Sequence, residues 1–161
     1  MIEIKGNLFD YPKKENEAIC ITTNAILKLC TEARLGVEAV MGAGVALTAE
    51  QRYPGLSIQL GETLLTKGHH VQTLRKHATE HYQYPMIISF PTKIHWRSNS
   101  PLWLIERSII ELDQFADDEE LEKVYLPRPG CGLGGLRWPD IRSLFEELDD
   151  RFVVVSLKGQ I

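Results

Sequence analysis

Long hydrophobic runs are missing from this sequence of 161 residues. A membrane-spanning helix needs about 20 consecutive apolar residues, so neither a span nor a membrane partner is expected. The opening MIEIKGNLF lacks the charged and then apolar pattern of a secretory leader. Cysteine is scarce: Cys20, Cys30 and Cys131 form no C-x-x-C pair and leave an odd one out. That argues against a disulfide framework and for reduced thiols in the cytoplasm. An excess of basic residues is also missing, with 18 Lys and Arg against 22 Asp and Glu and a formal charge of −4. That argues against non-specific nucleic-acid binding through a strongly basic surface. It does not exclude a nucleotide held by backbone amides, or a nucleic acid touched at one end. No internal repeat, low-complexity segment or linker rich in Gly, Ser or Pro interrupts the chain. Residues 1–161 are expected to form one domain and to act as a monomer.

What is present is a regular alternation. Apolar runs predict strands at 2–5, 18–23, 62–66, 71–74, 86–90, 123–126 and 152–157. Ser100 and Pro101 read as the cap and first position of a helix, with Leu102, Ile105, Ile109 and Leu112 following at spacings of three and four. Pro139 opens another, whose Ile141, Leu144, Phe145 and Leu148 share one face, and a third starts near Gly44 and stops before Pro54. Strands alternating with helices across short connections predict an α/β sandwich with buried strands. Residues 25–40 carry no clear period and are expected to form a short helix or a surface excursion.

Glycine is concentrated in two places. PRPGCGLGGLRW contains G-x-G-x-x-G at Gly130, Gly132 and Gly135, the fingerprint of dinucleotide-binding folds. Such folds also need an acidic residue at the end of the next strand. Here that strand, RFVVVSLKGQI, ends in Ser156, Leu157 and Lys158, so the NAD-dehydrogenase reading fails. The physical property of the loop survives: glycines let backbone amides turn inward ahead of a helix, which suits a phosphate. The plain alternative is a tight turn that needs positive φ. VMGAGVALTAEQRYP repeats the theme, with Gly42 and Gly44 ahead of a helix. Two such loops, each opening a helix, would enclose a diphosphate from both sides.

At this point the residues resemble the macrodomain family, which binds ADP-ribose. KGNLFD, with Asn7 and Leu8, resembles the family's first-strand segment, and ITTN places Asn24 where the family has an asparagine at the distal ribose. Met41, Gly42, Ala43, Gly44 and Val45 resemble the first phosphate loop, and Gly130, Cys131, Gly132, Leu133, Gly134 and Gly135 the second. SFPTKIHWRSNSPLWLIERSIIEL, with Pro91, Thr92 and Lys93, resembles the branch holding the terminal ADP-ribose glycohydrolase and the DarG-type antitoxin macrodomains. The resemblance implies a three-layer α/β/α sandwich with a mixed central sheet and no cofactor or metal. It implies a hydrolase that removes ADP-ribose from modified single-stranded DNA. In that branch the lysine corresponding to Lys93 attacks the anomeric carbon of the distal ribose. An amine is a good nucleophile where neighbouring cations and desolvation disfavour its charge, and His95 and Arg97 lie close in sequence.

Two departures from the family pattern stand out. Some members have an aspartate at the position of Gly134; the DNA-directed members lack it too, and acid–base help then falls to water, a substrate phosphate or another residue. Residues 25–40 also form a longer link than usual, which bears on Asn24 and offers a flap over the ribose. Asn7 stands where many members use aspartate on the adenine amine; capping a turn is the equal alternative. The histidines His69, His70, His77 and His81 read as a mildly basic surface with Lys67, Arg75 and Lys76 rather than a metal site. Trp96 reads as packing under its loop in preference to stacking on a base, and Trp138 as a packing residue. Cys131 reads as a small loop residue beside the phosphate, not a nucleophile. Two rivals share the same pocket: a non-catalytic ADP-ribose reader and a phosphatase for ADP-ribose carrying a terminal phosphate.

Overall fold

Strand β2 (Glu17–Thr23) is buried on both faces, and the layers are arranged around it. In the computed structural model, which describes residues 1–12, 14–76 and 85–159, six strands form one sheet in the order β1-β8-β7-β2-β6-β5. The others are β1 (Ile2–Lys5), β5 (Gln72–Arg75), β6 (Met86–Pro91), β7 (Lys123–Leu126) and β8 (Phe152–Ser156). All neighbours run parallel except β5, which lies antiparallel on the edge against β6. The sheet is therefore mixed.

Successive side chains of a strand point to opposite faces, and here each face meets its own helices. Ala18, Cys20, Phe152 and Val154 pack with Ile105, Ile109 and Leu112 of helix α3 (Leu102–Asp118). Ile141 of the single-turn helix α4 (Trp138–Ile141) and Phe145 of the 3-10 turn that follows complete that layer. Ile19, Ile21, Val153 and Val155 pack instead with Ala49 of α1 (Gly44–Arg52) and with Leu56 and Leu60 of α2 (Leu56–Lys67). The result is the expected three-layer α/β/α sandwich. Among the described residues no helix is long and apolar enough to cross a membrane.

Three local expectations need correction. Residues 62–66 lie inside α2; a short apolar run with threonines has no period that separates strand from buried helix. Pro101 takes the cap position of α3, and Leu102 is 46% exposed while Leu104 is fully buried. The helix predicted after Pro139 is one α turn followed by a 3-10 turn, although Ile141, Phe145 and Leu148 are buried as their spacing implied.

Residues 25–40 are not a helix; they are an excursion at the surface, outside the main sheet. They form a hairpin of β3 (Leu27–Leu29) and β4 (Val37–Ala39), paired Leu27 with Ala39 and Leu29 with Val37. β4 lies against α2, so closely that a Cβ on Gly61 would sit 2.6 Å from the Glu38 Cα. Ser57 Oγ donates to Glu38 Oε2 at 3.2 Å across the same contact. Helix propensity alone would make Gly61→Ala stabilising by about 1 kcal/mol. The backbone contact reverses the sign: a net loss of about 1–3 kcal/mol is expected in urea denaturation.

Candidate active site

The carboxyl ends of the parallel strands open into one cleft of about 1630 Å³, the usual place for a ligand in an α/β sheet. It brings together nearly all the residues that the sequence singled out. Asn7, Leu8, Asn24, residues 41–45, Thr92, Lys93 and residues 130–134 line it. Pro91 does not: it is buried as the last residue of β6, its carbonyl accepting from Ser108 Oγ at 2.8 Å. Gly135 is also absent from the lining and packs against Asn99.

The two glycine loops turn out to be built differently. Gly42, Ala43 and Gly44 are exposed in the cleft and lead directly into α1, a helix of nine residues whose first amides have no helical acceptor. The second loop does not open an α-helix. Gly132–Gly134 form a 3-10 turn, and α4 starts only at Trp138. Nor do its glycines all serve the ligand. A Cβ on Gly134 would lie 2.5 Å from Ser100 Oγ, and one on Gly130 2.8 Å from Leu136 Cδ1. Gly132 alone of this group, at φ +72°, would point a Cβ into open space. Three of the glycines thus allow close packing, and only at Gly132 is the side-chain direction open.

Lys93 follows β6, where its backbone N–H and that of Thr92 both donate to the Thr23 carbonyl, at 3.2 and 3.0 Å. Its Nζ donates to the Leu133 carbonyl at 2.7 Å and to the Trp96 carbonyl at 3.2 Å. The side chain therefore bridges the loops after β6 and β7. Two N–H bonds on a tetrahedral nitrogen leave the remaining direction for a third hydrogen or, in the neutral amine, for the lone pair.

Other predicted residues are engaged in structure. Asn24 donates to the Val40 carbonyl and accepts from Ile26 N–H, both at 3.0 Å, so its amide closes the neck of the hairpin. Asn7 Oδ1 accepts from Phe9 N–H at 3.1 Å and caps the 3-10 turn Leu8–Asp10, which leaves one lone pair of the amide oxygen. At that end of the cleft Phe9 lies 6.4 Å from Tyr53, with the Arg52 guanidinium 5.1 Å over its ring. Cys131 caps the Gly132–Gly134 turn, and burial raises its thiol pKa, the reverse of what a nucleophile needs. Trp138 is buried and donates Nε1–H to Glu3 at 3.0 Å. Trp96, by contrast, is 43% exposed rather than packed under its loop.

No protein-family model matches the chain. It is 31% identical over 156 residues to the DNA ADP-ribosyl glycohydrolase of Mycobacterium tuberculosis (strain ATCC 25618 / H37Rv), across 91% of this chain and 40% of that protein. The solved macrodomain of Mycobacterium tuberculosis DarG superposes with a TM-score of 0.73 at 27% identity, over 96% of this chain and 95% of that one. The chain has the macrodomain fold. The same fold is seen in Thermosipho africanus DarTG in complex with ADP-ribose, at a TM-score of 0.78 and 19% identity, over 99% of this chain and 42% of that one. The chain spans about two fifths of the length of the DNA ADP-ribosyl glycohydrolases it matches.

The cleft of this macrodomain is cationic. Lys93, Arg97, Arg128 and Arg137 line it, and among the described residues no Asp or Glu does. Arg128 and Arg137 are paired with Glu3 and Asp140, at 3.8 and 3.5 Å, outside the lining. Lys93 and Arg97 therefore carry the positive charge that has no carboxylate beside it among the described residues, an arrangement that suits an anion. The basic surface expected elsewhere is not found. His70 pairs with Glu111 at 2.9 Å and Lys76 with Glu119 at 3.1 Å, while His69 is mostly buried; His77 and His81 lie outside the described residues.

Sequence reasoning missed the support beneath Lys93. Thr23 Oγ1 bonds Ser89 Oγ at 2.8 Å and His69 Nε2 at 3.3 Å, fixing the residue whose carbonyl holds the Lys93 backbone. It also missed Ser100, whose N–H donates to the Gly134 carbonyl at 2.8 Å while its buried Oγ has no partner among the described residues. A serine before a helix reads as a cap, and nothing in the sequence signals that role.

Two outcomes are expected. Ser100→Ala should change stability little, because its hydroxyl makes no bond to lose. Gly134→Ala should destabilise by about 1–3 kcal/mol, with much of the loss recovered in the Ser100→Ala background, as measured by a denaturant double-mutant cycle. Burial, with Arg107 and His70 adding to it, pushes the His69 pKa down from 6.5 to about 4. Below pH 6.5 the unfolded chain takes up a proton that the folded one refuses. Stability should be full above that pH and decline by on the order of 3 kcal/mol toward pH 4. His69→Gln should flatten that part of the profile.

Proposed function

We propose that this macrodomain hydrolyses the N-glycosidic bond joining ADP-ribose to a base of single-stranded DNA, with Lys93 as the nucleophile. The observation that carries the reading is the Lys93 amine, held 2.7 Å from the Leu133 carbonyl at the junction of the second glycine loop with the cleft. The Mycobacterium tuberculosis relative is a DNA ADP-ribosyl glycohydrolase and the Thermosipho africanus structure contains ADP-ribose, which supports both ligand and carrier. Adenine lies toward Asn7 and Phe9. The diphosphate rests between the Gly42–Gly44 backbone, at the N-terminus of α1, and Gly132. The distal ribose then meets Lys93.

The amine lone pair forms a bond to the anomeric carbon while the glycosidic bond breaks, its electron pair leaving with the base, which gains a proton. Ring opening of the ribosylamine gives an imine, and water releases ADP-ribose and restores the lysine. With no carboxylate lining the cleft among the described residues, water or a substrate phosphate carries the protons. A binding module is the second reading, since the same two Nζ bonds suit a latch between the loops.

Release of ADP-ribose from thymine-modified single-stranded DNA separates the two. Lys93→Ala should lower the rate by on the order of a thousandfold while calorimetric ADP-ribose affinity stays within a few-fold. Borohydride added during turnover should trap a reduced ribosyl adduct on Lys93, visible by mass spectrometry. Absence of release by the unaltered protein, with ADP-ribose still bound, would identify a reader or a phosphatase instead.

A further inference from the structure

The loop after Lys93 presents flat surfaces to solvent that the chemistry at the amine does not use. Trp96 is 43% exposed and Ile94 46%, and Leu133 on the facing loop is 69% exposed. The His95 ring stacks on the Trp96 indole at 5.4 Å and 26°, and the Arg97 guanidinium lies 4.6 Å over it. Among the described residues Arg97 forms no ion pair; its charge rests on an aromatic face. Residues 92–105 and 127–139 contain Lys93, His95, Arg97, Arg128 and Arg137 and no Asp or Glu, in a chain of net charge −4. The Trp96 carbonyl accepts from Lys93 Nζ, so this stack begins beside the reacting amine.

An exposed aromatic–guanidinium stack on a rim free of carboxylates fits a polyanion with unpaired flat bases, because stacking and phosphate attraction then act together. Arg128 and Arg137 pair with Glu3 and Asp140, so the cations without a carboxylate partner among the described residues are Lys93 and Arg97, side by side at the stack. We propose that His95, Trp96 and Arg97 form a stacking platform for the nucleobase next to the modified nucleotide, extending the site beyond ADP-ribose. It rests on the DNA reading above and specifies which part of the carrier is held. A duplex keeps its bases stacked on one another and gains nothing from the platform.

The test compares kcat/KM on a single-stranded oligonucleotide of about a dozen nucleotides carrying one ADP-ribosylated thymine with that on ADP-ribosylated thymidine alone. The oligonucleotide should be preferred by about tenfold or more. Trp96→Ala should abolish the preference, Trp96→Phe should keep most of it, and Arg97→Gln should reduce the salt slope on the oligonucleotide by about one. Equal use of both substrates by the unaltered protein, or an equal loss on both in Trp96→Ala, would overturn the platform. If neither substrate is cleaved, the glycohydrolase reading falls, and fluorescence anisotropy with a labelled, unmodified single strand decides the platform. Weaker binding by Trp96→Ala upholds it; unchanged binding overturns it.

Discussion

The loops after β6 and β7 touch each other at backbone distance, and the site is assembled from that contact. Ser100 N–H reaches the Gly134 carbonyl at 2.8 Å, Ser100 Oγ occupies the space a side chain at 134 would need, and Asn99 does the same at Gly135. Only with the loops so close does Lys93 Nζ reach Leu133. Side chains on Gly134 and Gly135 would separate the loops. They would also move the amine away from the cleft that the exposed backbone of Gly42, Ala43 and Gly44 faces from the other side.

Beneath the loops, β2 fixes where they start. It lies between β6 and β7 in the sheet, and its last residue, Thr23, offers one carbonyl to two successive N–H groups of the Lys93 loop. Hydroxyl and imidazole partners at Ser89 and His69 hold Thr23 in turn. A buried imidazole kept neutral is compatible with that packing, since a charged one would face Arg107 with its own solvation lost. Position therefore passes from the rigid centre of the sheet to the amine at the end of the Lys93 side chain.

The electrostatics follow the same division. Carboxylates cluster on the outer helix faces and turns, where they meet Arg151, Lys76 and Arg142. The strand ends carry lysine, arginine and bare amides. The cleft therefore offers an anion cations and backbone amides and, among the described residues, no carboxylate.

Much of this was legible in the sequence. The sandwich was written in the strand runs: the alternation of Ala18, Ile19, Cys20 and Ile21 satisfies two cores at once, and period-two burial is a local property. The cleft residues were legible because glycines ahead of a helix and the flanking Lys93 segment are contiguous patterns. Three things were not. Residues 62–66 became helix because α2 packs between the sheet and the hairpin, and composition over five residues cannot express that. The roles of Gly130, Gly134 and Gly135 depend on Leu136, Ser100 and Asn99, and two of those partners lie on the other loop. Trp96 was read as buried because large aromatic side chains usually are. It is 43% exposed, in a loop whose Trp96 carbonyl accepts from the Lys93 amine, a contact with no local sequence signal. The sequence by itself determined the layers and the chemistry available. Tertiary structure alone decided which glycines have open space before them and which lie against a neighbouring loop, because that depends on distances between segments far apart in the chain.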